Sequence, residues 1–164
     1  MKKLYIMRHA KSDWSEPFES DFDRGLKKRG YEDAILIAKE LKRKKVLPNL
    51  LLSSSAIRAK ITSEIAGAFM GYDIDNIKFN KQLYFSNASE ILEIIKSVNS
   101  NVKKLFIVGH NPELTELINQ LAYISIDNLP TSGVVAISFK TDSWKKITKG
   151  KREFFIYPKM YKGI

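Results

Sequence analysis

Three apolar runs in this chain end in residues equipped for chemistry on an anion. Leu4-Tyr5-Ile6-Met7 runs into Arg8-His9-Ala10-Lys11. Leu50-Leu51-Leu52 runs into Ser53-Ser54-Ser55, with Arg58 following, and Leu105-Phe106-Ile107-Val108 runs into Gly109-His110-Asn111-Pro112. Open α/β sheets bind ligands at the carboxyl ends of their strands, and in a parallel sheet these ends share one edge. Arg8, His9, Arg58 and His110 can therefore converge. Two guanidiniums, two imidazoles and nearby helix amino termini would hold and polarise a phosphate or a similar oxyanion. Each residue alone has a plainer reading. A His near a strand end is commonly a hydrogen-bonded structural residue, an Arg at a helix start is commonly surface, and Gly109 could serve only as a permissive turn. Their recurrence at successive strand ends favours the chemical reading.

The positioning elements follow from periodicity. Residues 3–8 predict a strand too short for a helix. Residues 13–23 predict a loop long enough to be functional, with Asp13, Trp14, Pro17, Phe18, Asp21, Phe22 and Asp23. A helix over 27–45 follows, with Tyr31, Ala34, Ile35, Ala38 and Leu41 inward and Lys42-Arg43-Lys44-Lys45 suiting its last turn. After the strand at 50–52, the serines cap a helix with face Ile57, Ile61, Ile65, Ala68 and Phe69, ended by Gly71. Residues 77–79 form a short strand and Leu83-Tyr84-Phe85 leads into a loop. Asn87 or Ser89 caps a helix lined by Ile91, Leu92, Ile95 and Val98. Residues 105–108 are a buried strand. The helix after it has Asn111 as N-cap, Pro112 at its first position and Glu113 in its first turn, with Leu114, Leu117, Ile118 and Leu121 inward. Residues 133–139 and 153–157 are strands, and 144–148 a candidate further strand. The alternation predicts a three-layer α/β fold. A mainly parallel central sheet carries helices on both faces, with antiparallel additions at its edge from the C-terminal part.

Composition narrows the possibilities. The 164 residues suit one domain spanning 1–164, with 44% hydrophobic and 28% charged residues close to soluble globular averages. The chain has no cysteine and only two histidines, which excludes disulfides, thiolate metal sites and cysteine nucleophiles and argues against a His-rich metal site. Lys2-Lys3 precedes too short an apolar run for a signal peptide, and no stretch suits a bilayer span. A cytoplasmic protein with no membrane partner is expected. The net charge is +10, over half of it in residues 140–164. A solvated, solubility-promoting surface accounts for that tail, and without an aromatic-interleaved basic module nucleic acid is not expected as a partner.

The motifs, taken together and in order from about residue 3 to 140, resemble the histidine phosphatase superfamily. Arg8-His9 follows the first strand, Ser54-Ser55-Ala56-Ile57-Arg58-Ala59 with Thr62 the second, and Gly109-His110-Asn111 a later one. Arg8-His9-Ala10-Lys11-Ser12-Asp13-Trp14, then Asp21-Phe22-Asp23-Arg24-Gly25-Leu26 and Arg29-Gly30, resemble more narrowly its small SixA-like phosphohistidine phosphatases. The resemblance implies a phosphoglycerate mutase-like fold without metal or cofactor. It implies that His9 attacks phosphorus to form a covalent phosphohistidine. Arg8, Arg58 and His110 would hold the phosphoryl oxygens as charge develops, with Arg24 a further phosphate-binding residue and Lys11 an extra cation. His9 must be neutral to attack, and neighbouring Arg8 and Arg58 would disfavour its protonated form.

Ser55 and Gly25 stand where the family pattern has proline. The larger departure is the general acid. The region where mutase-like members carry a Glu reads Lys81-Gln82-Leu83-Tyr84-Phe85-Ser86-Asn87, with no acid before Glu90, which is read as starting a helix. A phosphomonoester needs a proton on its departing alkoxide, a factor of about 10²–10⁴ in rate, whereas phosphohistidine needs it less. The implied substrate is thus phosphohistidine on a protein. A small phosphorylated metabolite, or a non-catalytic module binding a phospho-ligand or nucleic acid, are the alternatives. The general acid is left unassigned, with Asp13, Asp21 or Asp23 as substitutes.

Overall fold

The computed structural model describes residues 1–14 and 20–162. Part of the 13–23 loop, with Pro17 and Phe18, lies outside them. The strands are β1 (Lys2–Arg8), β2 (Leu50–Ser53), β3 (Lys78–Phe79), β4 (Lys104–Gly109), β5 (Val134–Phe139) and β6 (Lys151–Ile156). The helices are α1 (Lys28–Arg43), α2 (Ile57–Met70), the single turn α3 (Gln82–Phe85), α4 (Ala88–Lys96) and α5 (Glu113–Leu121). The strands form one sheet ordered β3-β2-β4-β1-β5-β6. Strands β1 to β4 run parallel, while β5 is antiparallel to both β1 and β6. This is the expected mainly parallel sheet with antiparallel additions.

Register places the chemistry. Arg8 pairs with Gly109 and Ser53 with Val108. The chain therefore leaves the sheet at one level after β1, β2 and β4, with His9, Ser54 and His110 as the next residues. Both faces are covered, so the middles of the central strands, residues 4–7 and 105–108, are apolar at every position. Leu4, Ile6, Leu105 and Ile107 pack towards α4 and α5, and Tyr5, Met7, Phe106 and Val108 towards α1 and α2.

Two helix faces differ from the periodic reading. In α1 the buried residues are Gly30, Asp33, Ala34, Ile37, Ala38 and Leu41, while Tyr31 is exposed and Ile35 half-buried. In α2 they are Arg58, Ala59, Thr62, Ser63, Ala66, Gly67 and Met70. Its isoleucines turn aside, and Ile61 and Ile65 pack on Ala10, Leu26 and Ala34. The reason is proximity: α2 lies close on the sheet, where a Cβ on Gly67 would stand 3.1 Å from Leu51 Cδ2. Small residues face the sheet, and the larger ones fill the seam with α1. Gly30 is likewise imposed by contact, since any Cβ there would collide with the Lys11 carbonyl oxygen at 2.2 Å.

Other boundaries shift. Tyr84 lies in α3 rather than in a loop. Residues 144–148 are not a strand: Trp144–Lys146 is a 3-10 turn, and the buried Trp144 indole donates to Val102 O at 2.7 Å. The Lys2 ammonium is buried and donates to the Ser100 and Val102 carbonyls. Asn87 is the cap of α4, in a reciprocal capping box with Glu90. Helix α5 starts one residue later than expected, with Pro112 at the N-cap position. The Asn111 side chain instead accepts at Oδ1 from Thr115 N and Oγ1, while its Nδ2 donates to Asn128 Oδ1 and Leu129 O. Among the described residues no helix is long and apolar enough to cross a membrane.

Candidate active site

A cleft of about 470 Å³ opens over the carboxyl ends of β1, β2 and β4. His9, Arg8, Arg58, His110 and Arg24 all line it, so the five residues singled out from the sequence converge there. Lys11, Ser12, Trp14, Asp21, Tyr84, Asn111, Glu113 and Thr131 complete the wall.

His9 is held from both sides. Its backbone N–H donates to Gly109 O at 3.0 Å, and its carbonyl accepts from Ser132 N at 3.2 Å. Its Nδ1 lies 2.7 Å from the Ala10 carbonyl oxygen. A carbonyl can only accept, so Nδ1 carries the ring proton and Nε2 keeps its lone pair. Arg58 Nε approaches that Nε2 at 3.4 Å. The loop after His9 is pinned to α2 through Thr62, whose hydroxyl accepts from Ala10 N at 2.9 Å and donates to Arg58 O at 2.7 Å.

Burial, foremost, pushes the His9 pKa down to about 3. The Ala10 hydrogen bond opposes this, while His110, Arg58 and Arg8 add to it. The arginines thus assist neutrality, and desolvation leads. His110 is also lowered, to about 4, by burial first and then by Arg58. Its ring centroid lies 5.0 Å from that of His9, and its Nε2 lies 2.8 Å from Ser54 Oγ.

These shifts predict a pH dependence of stability. Each imidazole titrates below its ordinary 6.5 in the folded chain. Between the two values the unfolded chain takes up protons that the folded chain refuses, so stability falls as pH drops through 6.5 towards 4 and 3. From pH 7 to 5 the loss is about 2 kcal/mol per imidazole. Urea unfolding at both pH values checks this, and His9→Asn should lose about half of the histidine contribution. An equal pH effect in the variant would contradict a buried neutral His9.

The structure adds a partner for the arginines. Asp21 Oδ1 accepts from Arg24 Nε and Nη2 at 3.1 and 2.8 Å. Asp21 Oδ2 accepts from Arg58 Nη2 at 2.9 Å and from the Tyr84 hydroxyl at 2.5 Å. Arg58 Nη1 also donates to the Asp21 carbonyl at 2.6 Å. Arg24 is steadied by Ser12 Oγ at 2.6 Å and by the Trp14 ring, whose centroid is 3.2 Å from its Cζ. Burial pushes the Asp21 carboxyl up, but hydrogen bonds from Tyr84, Arg24 and Arg58 outweigh it and hold the group well below the usual carboxylate range. Asp21 is therefore an anion that occupies two guanidiniums, which is the opposite of a proton donor. The Tyr84 pKa is raised, first by its bond to Asp21 and then by burial.

Two buried nitrogens on residues of this cleft, Arg8 Nε and His110 Nδ1, have no hydrogen-bond partner among the described residues. Buried polar atoms are nearly always paired, so unpaired ones beside a cleft are candidate contacts for a ligand. Among the described residues, four cations, Arg8, Lys11, Arg24 and Arg58, and two carboxylates, Asp21 and Glu113, line the cleft. Sequence reasoning missed Tyr84 and Glu113 as wall residues. Tyr84 gave no local signal, because its role depends on α3 meeting the Asp21 turn. Glu113 did adjoin the Gly109-His110-Asn111-Pro112 motif but read only as a first-turn acid.

This sheet and this site define a histidine-type phosphatase. The chain belongs to the histidine phosphatase superfamily: a sequence model of the Histidine phosphatase superfamily (branch 1) matches residues 4–82. An uncharacterized Mycobacterium tuberculosis protein, Rv1276c, is 32% identical over 141 residues, covering 80% of this chain and 85% of the relative. A SixA structure from Agrobacterium tumefaciens superposes with a TM-score of 0.80 at 27% identity, over 96% of this chain and 99% of the other. The protein histidine phosphatase SixA complexed with tungstate superposes at 0.84 over 98% and 99%, at 21% identity. The fold is accordingly the phosphoglycerate mutase-like α/β fold.

Proposed function

We propose that this protein dephosphorylates phosphohistidine carried on a protein, through a covalent phosphohistidine at His9. The observation that carries this reading is the buried, neutral His9, whose unprotonated Nε2, met among the described residues only by Arg58 Nε at 3.4 Å, belongs to a cleft with unpaired Arg8 and His110 nitrogens. Nε2 attacks phosphorus, the leaving group departs, and water then cleaves the new N–P bond. Arg8, His110 and Arg58 stabilise the charge on the equatorial phosphoryl oxygens, and Arg24 adds a further cation. Arg58 and Arg24 reach the substrate by exchanging Asp21 for the incoming dianion.

The choice of substrate rests on proton supply. Asp21 is held ionised, and Glu90 is committed to capping α4. Neither can deliver a proton to an alkoxide. Phosphohistidine leaves as imidazole and does not need one delivered, so it suits this site better than a phosphomonoester. The SixA likeness supports the same choice. Turnover of a phosphohistidine peptide should exceed that of a matched phosphoserine peptide by about 10²-fold or more. Equal rates on the two peptides would refute the substrate assignment.

A further inference from the structure

We infer that Glu113 is the residue that recognises the leaving imidazole and keeps its proton in place, an inference that rests on the phosphohistidine reading. Of the two carboxylates that line the cleft among the described residues, Asp21 is engaged by Arg24, Arg58 and Tyr84. Glu113 is half-buried and lines the same cleft, and its carboxylate makes no hydrogen bond or ion pair with any described residue. It opens α5 three residues after His110, so the strand end that delivers one imidazole to the phosphoryl site also delivers a free carboxylate to its wall. A first-turn acid also favours its helix through the helix dipole, but that role does not require facing the cleft.

The chemistry asks for such a group. An N-phosphorylated imidazole leaves easily only if its other ring nitrogen is protonated, because it then departs as neutral imidazole and not as an imidazolate anion. An ionised carboxylate that accepts a hydrogen bond from that distal N–H favours the protonated ring. The step balances. The His9 Nε2 lone pair forms the new N–P bond, and the old N–P bond breaks with its electron pair staying on the substrate ring nitrogen. The distal nitrogen keeps its proton, and Glu113 begins and ends as a carboxylate. Accepting an N–H hydrogen bond does nothing for an alkoxide, which must be given a proton. Glu113 thus gives the site selectivity for phosphorylated imidazole without a general acid.

The test compares wild type, Glu113→Gln and Glu113→Asp on a phosphohistidine peptide and on an aryl phosphate whose phenol leaves without a proton. Glu113→Gln should lower kcat/KM on the phosphohistidine peptide by about 10²-fold and on the aryl phosphate at most severalfold. Glu113→Asp should recover part of the selective loss. A purely structural role would lower both substrates together, and that result, or no loss on either, overturns the assignment. If wild type turns over phosphohistidine through a labelled His9 and Glu113→Gln matches it, only the role of Glu113 fails. If wild type turns over the aryl phosphate but not the phosphohistidine peptide, the substrate reading fails and takes this inference with it.

Discussion

Replacing His9 with Ala is expected to lower turnover of any phosphorylated substrate by at least about 10⁴-fold, as loss of a nucleophile does elsewhere, and to abolish covalent labelling. Wild type incubated with radiolabelled substrate and quenched in alkali should retain phosphate on one peptide, the one containing His9. The label should be lost in acid, as N–P bonds are. The geometry is specific about which nitrogen carries it. Nδ1 is committed to the Ala10 carbonyl at 2.7 Å, so phosphorus must bond to Nε2. The low His9 pKa of about 3 adds a second expectation. Protonation of His9 should not depress the rate across the range where an ordinary histidine titrates. Labelling that persists in His9→Ala, or a rate that falls with a free-histidine pKa in wild type alone, would remove His9 from this role.

Arg58→Ala should follow in size, with a loss of about 10³–10⁵ in kcat, the range for an arginine that stabilises a transferring phosphoryl group. Arg58 meets His9 Nε2 through Nε and the Asp21 carboxylate and carbonyl through its two Nη atoms. Its planar fork makes these contacts at once, so Arg58→Lys should recover little. Asp21→Asn supplies the counter-experiment. It weakens the internal anion that holds Arg58 and Arg24, and inorganic phosphate should then inhibit at a severalfold lower concentration. Weaker inhibition in Asp21→Asn would show that Asp21 orients the guanidiniums for the ligand and does not compete with it. Near-wild-type activity in Arg58→Ala would place phosphoryl stabilisation elsewhere.

The strands and the convergence at their ends were legible because they are local signals repeated along the chain. Apolar runs bounded by Arg-His, Ser-Ser and Gly-His mark buried parallel strands, and a parallel sheet aligns their ends. The helices were found, but two of their faces were misread. Periodicity ranks positions by apolar character, whereas the inward face of α2 was decided by how closely it approaches Leu51. Where backbones nearly touch, Gly67, Ala59 and Ser63 are the inward residues and the isoleucines turn aside. Trp144 misled for a related reason. Residues 144–148 suggest a further strand, but one hydrogen bond to Val102 and full burial hold Trp144 in a turn.

By itself, the sequence determined which residues could do the chemistry and at which strand ends they stand: Arg8 and His9 after β1, Arg58 after β2, His110 after β4. What only the tertiary structure decided is how those residues are employed. Asp21 and Arg58 lie far apart in the chain, and no spacing rule pairs them. Through-space distance does, and with it the ionised state of Asp21, the lone pair of His9 and the free carboxylate of Glu113. Charge and hydrogen bonding act between neighbours in space, and the fold alone makes these residues neighbours.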